Sequence, residues 1–168
     1  MTSLIAAVAI VTGVGAAPAA TAGDILEQTG TRGGLVGCAG CGDPALPAAL
    51  GKAGGVLVHA LDADPARIAT VRRQARRRGL AGRVFAERWD RDRLPWADNL
   101  VTCLVIGDPG FGVSFDEIRR VLAPRGTAVA PASVATAAFR KAAREAGGLL
   151  VYRQPVPAET DEWTHWLH

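Results

Sequence analysis

Short apolar segments alternate with helix-forming segments along this sequence of 168 residues, and this alternation constrains its fold most. Residues 55–61 are a β-branched and apolar run typical of a strand, and residues 100–106 are a continuous apolar run typical of a strand buried on both faces. Residues 65–79 form the clearest helical pattern, with Asp64 placed to cap its start and Gly79 to end it. Alternating strands and helices build a parallel sheet covered on both sides. We therefore predict an α/β fold, a Rossmann-like three-layer sandwich with a mostly parallel sheet.

The other elements are predicted from shorter patterns of the same kind. The predicted helices lie at 24–29, 44–52, 114–122 and 132–146, and the further strands at 33–37, 84–86, 127–130 and 149–153. A turn is predicted at 124–126, where Pro, Arg and Gly follow one another.

The first 22 residues differ from the rest because they contain no charged side chain. An apolar run at 4–14 is followed by small residues that end in Ala20-Thr21-Ala22, the A-x-A pattern of a cleavage site. The run is shorter than the roughly 20 residues that span a bilayer. We predict a signal peptide at 1–22, no stable membrane span, and an exported protein, periplasmic or extracellular. A buried N-terminal helix or strand is the alternative, since no Lys or Arg follows Met1 closely.

Charge and cysteine content exclude several classes of function. The balance of 19 basic and 16 acidic residues gives a net charge of +3, too small to predict a nucleic-acid partner. Five arginines lie between Arg72 and Arg78, and we interpret them as a solvated helix face. Three cysteines form neither a complete disulfide framework nor a four-ligand zinc site, so no metal is predicted. The pair Cys38-x-x-Cys41 has a redox spacing, which stays a minor alternative.

A glycine-rich turn, G-C-A-G-C-G-D at 37–43, follows the first predicted strand. Gly40 and Gly42 allow the backbone to turn sharply and to approach a ligand. Asp62 ends the next strand about 20 residues later, where an acid can accept from both hydroxyls of a ribose. A nucleoside-containing ligand is predicted, whereas a dinucleotide pattern fails at Ala45. The alternative is that the glycines only serve a tight turn.

Four segments of the sequence resemble class I S-adenosylmethionine-dependent methyltransferases, in the order found in that family. They are the G-C-G core at 40–42, the acidic strand end at 61–64, the segment 88–98, and the turn at 119–126, which is similar to R-V-L-x-P-G-G. The resemblance covers about residues 24–130 and implies S-adenosylmethionine as cofactor. The family's first acid, third glycine and fourth-strand acid are Cys38, Pro44 and Asn99 in this sequence.

The resemblance also implies roles for individual residues. The methionine part of the cofactor would contact Gly40, Cys41 and Gly42, and Asp62 would hold the ribose. Trp89 and Asp90 would flank the adenine, with Asp90 hydrogen-bonding its amino group, and Ala63 is a further cofactor-binding candidate. Asp108 begins a D-P-G-F segment similar to the D-P-P-aromatic motif of amino-group methyltransferases. It is therefore a candidate catalytic residue that accepts from a target amine, with an ordinary turn as the alternative.

Residues 161–168, D-E-W-T-H-W-L-H, resemble exported proteins in which such a domain precedes a β-propeller of the pyrroloquinoline-quinone-binding type. The predicted organisation is a signal peptide at 1–22, a methyltransferase-like domain at 23–153, and a linker or propeller start at 154–168. The implied function is methyl transfer to an unknown acceptor. The alternative is a non-catalytic structural or binding module of an exported quinoprotein-like propeller protein, with that propeller as a covalently following partner.

Overall fold

The computed structural model describes residues 20–53, 55–108 and 111–157. These residues form seven strands and five helices. The helices are α1 (Ala22–Thr29), α2 (Leu46–Ala53), α3 (Pro65–Arg77), α4 (Phe115–Val121) and α5 (Ala137–Ala142). The strands are β1 (Gly33–Ala39), β2 (Gly55–Asp62), β3 (Val84–Arg88), β4 (Val101–Ile106), β5 (Leu122–Pro131), β6 (Arg144–Ala146) and β7 (Leu149–Arg153).

All seven strands belong to one sheet in the order β3-β2-β1-β4-β5-β7-β6. Strands β1 to β5 pair in parallel, and β7 is antiparallel to both β5 and β6. The mostly parallel α/β sheet predicted from the sequence is confirmed. The chain runs from β1 outward to β3 and then returns to place β4 on the other side of β1. This reversal leaves a crevice at the carboxyl ends of β1 and β4, where open α/β sheets bind ligands.

Apolar side chains pack on both faces of the sheet. Helices α1, α2 and α3 cover one face, with Ile25, Leu50 and Ile68 packed against strand residues such as Val58. Helices α4 and α5 cover the other face over β4, β5 and β7. Within the described ranges, no helix is long and apolar enough to cross a membrane.

The connection from β3 to β4, residues 89–100, contains neither helix nor strand and is held by Arg120 of α4. The Arg120 guanidinium donates to the carbonyls of Leu94 (3.1 Å) and Trp96 (2.9 Å). It also pairs with Glu117 at 2.6 Å and Asp98 at 2.5 Å. The Glu117 contact raises the pKa of Arg120, and the same hydrogen bond lowers the pKa of Glu117. The side-chain hydrogen bonds of Arg120 thus hold this connection, which has no helix or strand of its own.

The predicted helix at 132–146 is wrong in length and in its final residues. Only Ala137–Ala142 is helical, and Thr136 caps it by accepting from the backbone N–H of Phe139. Arg144–Ala146 forms β6 instead, paired with β7. Alanine favours helix, but the backbone hydrogen bonds of a sheet edge outweigh that preference here.

Two further boundaries differ from the prediction. Helix α2 begins at Leu46, because the Asp43 carboxylate accepts from the backbone N–H of Ala45 and holds a turn there. The predicted turn at 124–126 lies within β5 as an irregularity in its pairing with β4, and Arg125 has a φ of +64°. The first difference arises from a hydrogen bond within three residues, whereas the second depends on Gln154, which bonds the backbone of Arg125 and Gly126 from the end of β7.

We predict that Arg120→Ala lowers the free energy of unfolding by roughly 2–3 kcal/mol, since hydrogen bonds to charged groups contribute about that much. The exposed neighbour Arg119 is the matched control, and Arg119→Ala should change stability by less than about 0.5 kcal/mol. Urea unfolding followed by circular dichroism measures both. Equal effects of the two substitutions would contradict the role assigned to Arg120.

Candidate functional site

The buried carboxylate of Asp62, at the end of β2, organises the crevice. Its Oδ2 accepts from the backbone N–H of Cys41 (2.6 Å), and its Oδ1 accepts from the backbone N–H of Asp64 (2.8 Å). Only 3% of Asp62 is exposed. One side chain therefore joins the glycine loop after β1 to the start of α3, whose N-cap is Asp64.

The glycine loop packs backbone against backbone on the end of β4. Gly40 has a φ of +79°, and a Cβ there would lie 2.6 Å from Cβ of Asp108. A Cβ on Gly42 would lie 2.4 Å from the carbonyl oxygen of Gly107. A Cβ on Gly107 would in turn lie 2.5 Å from the carbonyl oxygen of Gly40. Only glycine permits this approach, which sets the width of the crevice between β1 and β4.

Arg67, in the first turn of α3, was not among the predicted site residues. Its guanidinium hydrogen-bonds Asp108 after β4 and lies 3.5 Å from Oδ2 of Asp62 and 3.7 Å from Oδ2 of Asp64. The hydrogen bond to Asp108 is the main reason that the pKa of Arg67 is raised. The spacing of five residues after Asp62 could have indicated this contact, because the first turn of a helix that follows a strand stays near that strand's end.

A cleft of about 190 Å³ lies beside Asp62 on the β3 side. Ala63, Trp89, Asp90 and Phe111 are among the residues that line it. The backbone N–H of Trp89 donates to the carbonyl of Asp62 (2.9 Å), and its indole N–H donates to a carbonyl further along the same connection (2.9 Å). Trp89 is thereby fixed at one wall of the cleft, next to the backbone of Asp62.

The structure places the predicted cofactor residues in two adjoining groups. The first group joins Gly40, Cys41 and Gly42 to Asp62, and the second consists of the cleft residues Ala63, Trp89 and Asp90. Asp90 is exposed and pairs with Arg88 at 3.3 Å. The cofactor roles that the resemblance implies for these residues stay predictions.

The residues where the sequence departs from the family pattern have structural roles. Cys38 is buried in the core under α1–α3 and offers no carboxylate to the crevice. Pro44 lies in the turn before α2. Asn99 has a φ of +59°, a conformation that Asn tolerates better than most residues, and its N–H donates to the Arg120 carbonyl.

Three buried thiols lie in or next to β1: one in β1, one in the loop after it, and one in the neighbouring strand β4. Cys38, Cys41 and Cys103 are all free and buried. Burial raises the pKa of Cys38 and of Cys103, and it raises the pKa of Cys41 to about 12. Redox-active thiols have lowered pKa values and are accessible. These thiols stay protonated near neutral pH, which argues against the redox interpretation of the Cys38-x-x-Cys41 spacing.

The strand order, the glycine loop and the acid that ends β2 together define the fold of class I S-adenosylmethionine-dependent methyltransferases. Solved structures with this fold match the chain. One is a candidate S-adenosyl-L-methionine-dependent methyltransferase from Methanococcus maripaludis, with 23% identity, a TM-score of 0.56, and coverage of 65% of this chain and 52% of that chain. Another is geranyl diphosphate C-methyltransferase from Streptomyces coelicolor A3(2), solved with S-adenosyl-L-homocysteine. It has 20% identity, a TM-score of 0.57, and coverage of 65% of this chain and 43% of that chain.

The 4+2 cyclase SpnF also matches, with 27% identity, a TM-score of 0.52, and coverage of 65% of this chain and 42% of that chain. The chain spans about half the length of the solved structures that it matches. No protein-family model matches the sequence, and no curated protein matches it. At these identities the likeness to the methyltransferases establishes the fold, while the cyclase shows that a protein of this fold is not always named for methyl transfer.

We predict that Gly40→Ala destabilises the protein by more than about 1–2 kcal/mol, the cost of a left-handed conformation for a residue with a Cβ. The contact with Asp108 adds to that cost. Gly82→Ala is the matched control, because a Cβ at Gly82 meets nothing within 4 Å. Thermal unfolding of both variants measures the difference. A Gly40→Ala variant as stable as Gly82→Ala would contradict the close packing of the loop.

Proposed function

We propose that this chain binds S-adenosylmethionine in the crevice between β1, β2 and β4 and transfers its methyl group to an acceptor. One observation supports this most strongly: the buried Asp62 carboxylate accepts from the glycine loop, and the next residue, Ala63, lines a cleft of about 190 Å³. A nucleoside needs an acceptor for its ribose hydroxyls next to a slot for its base. Asp62 supplies that acceptor, and Trp89 and Phe111 border the slot.

Asp62 retains the capacity to accept from a ribose. An ionised carboxylate offers about four lone-pair positions, and the backbone N–H groups of Cys41 and Asp64 occupy two of them. The Arg67 guanidinium donates to a third, at 3.5 Å, so two positions are available for two hydroxyls only once Arg67 has moved away. The Arg67 guanidinium, 3.5 Å from Asp62, lies over the same carboxylate and has to turn outward when a ligand enters.

When bound, S-adenosylmethionine supplies an electrophilic methyl group on a sulfonium centre. The protein then mainly aligns the donor with the acceptor, because the displacement is direct. Asp108 follows β4 and borders a depression of about 30 Å³ formed with Ile106, Val134 and Phe139. A space of this size holds little more than the amino group of an acceptor, from which the Asp108 carboxylate could accept a proton. Arg67 is one partner of Asp108.

A non-catalytic structural or binding module is the second candidate, and the ion pair between Arg67 and Asp108 supports it. This pair crosses the crevice from α3 to β4, over the carboxylate that a ribose would use. Cys38 removes the acid that the family pattern has two residues before Gly40. In this second case the domain would act beside a following quinoprotein-like propeller and need no cofactor.

Calorimetric titration with S-adenosylmethionine and S-adenosylhomocysteine separates the two candidates. We expect the unmutated chain to bind both. Asp62→Asn should weaken binding by roughly tenfold to a hundredfold, because hydrogen bonds to a charged acceptor contribute about 1.5–3 kcal/mol. Asp116→Asn, at an exposed acid in the first turn of α4, should leave binding unchanged.

The thermal midpoint of each variant is measured without ligand, since Asp62 also holds the glycine loop. Asp62→Asn tests the proposal only at temperatures at which that variant is folded. An unmutated chain that binds neither compound at millimolar concentration would exclude the methyltransferase proposal. The non-catalytic module would then be the better account.

Export directed by a signal at the N-terminus is likewise our proposal, supported by the uncharged apolar run of the sequence. Thr21 bears on the position of cleavage. It is the N-cap of α1, and it forms a reciprocal capping box with Asp24, at 3.2 Å and 2.9 Å. Ala22 is buried in the core. Cleavage after Ala22 would remove both the cap and this buried residue, so retention of Thr21 is favoured by the stability of α1.

We therefore expect the mature protein from its own host to begin before Thr21. Capping residues typically contribute about 1 kcal/mol to a helix, and cleavage upstream retains that contribution. N-terminal sequencing of the exported protein checks this. A mature protein that starts at Gly23 would contradict the retained cap, and an unprocessed cytoplasmic protein would exclude export.

A further inference from the structure

Part of the sheet is apolar and has no covering helix in the described ranges. Leu57 of β2 and Phe85 of β3 are 50% and 52% exposed. They lie on the face opposite α1–α3, because the adjacent residues Val58 and Val84 pack in the core under those helices. We call the surface formed by Leu35, Leu57, His59, Phe85 and Glu87 the β2–β3 face. An exposed apolar surface of this kind on a soluble domain indicates a contact with another segment.

Arginines of α3 border the β2–β3 face. Arg72 and Arg76 line the same depression of about 810 Å³ as Leu57 and Phe85. The ion pairs formed by arginines in the described part of the chain involve residues 67, 88 and 120, and none from 72 to 78. Arg72 donates to the Ala86 carbonyl at 2.9 Å, which keeps its charge beside the edge strand β3. Glu87 on the same face is 3.5 Å from His59. The surface thus combines apolar side chains with arginines that form no ion pair among the described residues, and these arginines are complementary to an acidic, apolar segment.

The chain itself contains a segment of that composition. Residues 158–168, A-E-T-D-E-W-T-H-W-L-H, lie outside the described residues and contain no Lys or Arg. Three acids at 159, 161 and 162 precede tryptophans at 163 and 166. The acidic part would match the arginines, and the tryptophans would match the exposed Leu57 and Phe85.

The point where the described chain ends is within reach of the β2–β3 face. Gln154 hydrogen-bonds Gly126 near the start of β5, so residues 155–157 lie at the amino edge of the parallel strands. Leu57 lies in the first half of β2, toward the same edge. Strands are about 4.8 Å apart, which puts β2 and β3 about 19 and 24 Å from β7. Positions 163 and 166 are six and nine residues beyond Pro157. At about 3.3 Å per residue, an extended chain of these lengths spans about 20 Å and about 30 Å.

We propose that residues 159–167 dock on the β2–β3 face, with the two tryptophans over Leu57 and Phe85 and the acids beside Arg72 and Arg76. The segment then covers the half of the sheet that lacks a helix. Exposed Leu100, directly before β4, lies at the same edge between β5 and β2 and provides an apolar contact along the way. This docking does not depend on cofactor binding at the opposite, carboxyl edge of the strands.

A spin label at the end of the segment tests the docking in the full chain. The native cysteines are buried, so a nitroxide reagent attaches selectively to the thiol introduced by His168→Cys. In the NMR spectrum of isotope-enriched protein, we expect the nearby nitroxide to broaden away the amide signals of Leu57 and Phe85. The amides of α5, which packs on β7 at the far side of the sheet, should keep more of their intensity. Equal loss at both places would overturn the proposal.

Charge reversal identifies the contact. Asp161→Lys with Glu162→Lys should restore the signals of Leu57 and Phe85, and adding Arg72→Glu with Arg76→Glu should bring their loss back. The matched control, Arg119→Glu with Lys141→Glu, changes two exposed cations elsewhere and should have no effect. Signals unchanged by the first pair of substitutions would overturn the proposal.

A second copy of the chain is the competing occupant. Equal amounts of labelled unenriched chain and unlabelled enriched chain are therefore mixed. Signal loss at Leu57 and Phe85 in this mixture would show contact between copies and overturn docking within one chain. We expect full signal intensity in the mixture. We expect signal loss only when the spin label and the isotope enrichment are on the same chain.

Discussion

The rest of the site depends on the hydrogen bonds that the buried Asp62 carboxylate makes to two backbone N–H groups. One belongs to Cys41 in the glycine loop and the other to Asp64 at the start of α3. Because both segments are held by one side chain, the positions of the loop and of the helix are coupled. The close approach of Gly40 and Gly42 to the end of β4 then fixes the third wall of the crevice. A ligand at this site meets a rigid floor, and Arg67 is the side chain that has to move.

The connection between β3 and β4 explains the unequal covering of the two faces. It contains no helix, and Arg120 holds it through the carbonyls of Leu94 and Trp96. Trp96 in turn covers Gly37 of β1, where a Cβ would lie 2.5 Å from its ring. The connection therefore protects β1 and reaches β2 at His59, whose Nδ1 accepts from the Trp96 indole N–H (3.0 Å), but it leaves Leu57 and Phe85 uncovered. The exposed Leu57 and Phe85 are a consequence of this short, extended route across the sheet.

Several local features were predictable because they depend on residues close in sequence. Asp64 and Pro65 start α3, and Gly30 ends α1 in a left-handed conformation. The placement of Asp62 beside the glycine loop was also predictable, since the carboxyl ends of adjacent parallel strands meet at one edge. The short α5 was missed although its cause is local: Arg144–Ala146 pairs with β7 across the two-residue turn Gly147-Gly148, whose positive φ values suit a tight hairpin, and this Gly-Gly pair was interpreted as the end of a helix. The partner of Asp108 was missed because Arg67 lies 41 residues away in the sequence.

The sequence by itself determined the class of the fold and the acid of the candidate site. Its alternating patterns specify strands and helices, and connections between parallel strands bring their carboxyl ends together whatever the details. Only the tertiary structure decided how open that site is, through the contact of Arg67 with Asp62 and Asp108. It also decided which apolar residues remain exposed. The hydrophobic period and the helix or strand propensity of a segment depend on a few neighbouring residues. Burial and ion pairing instead depend on distances between elements far apart in the chain.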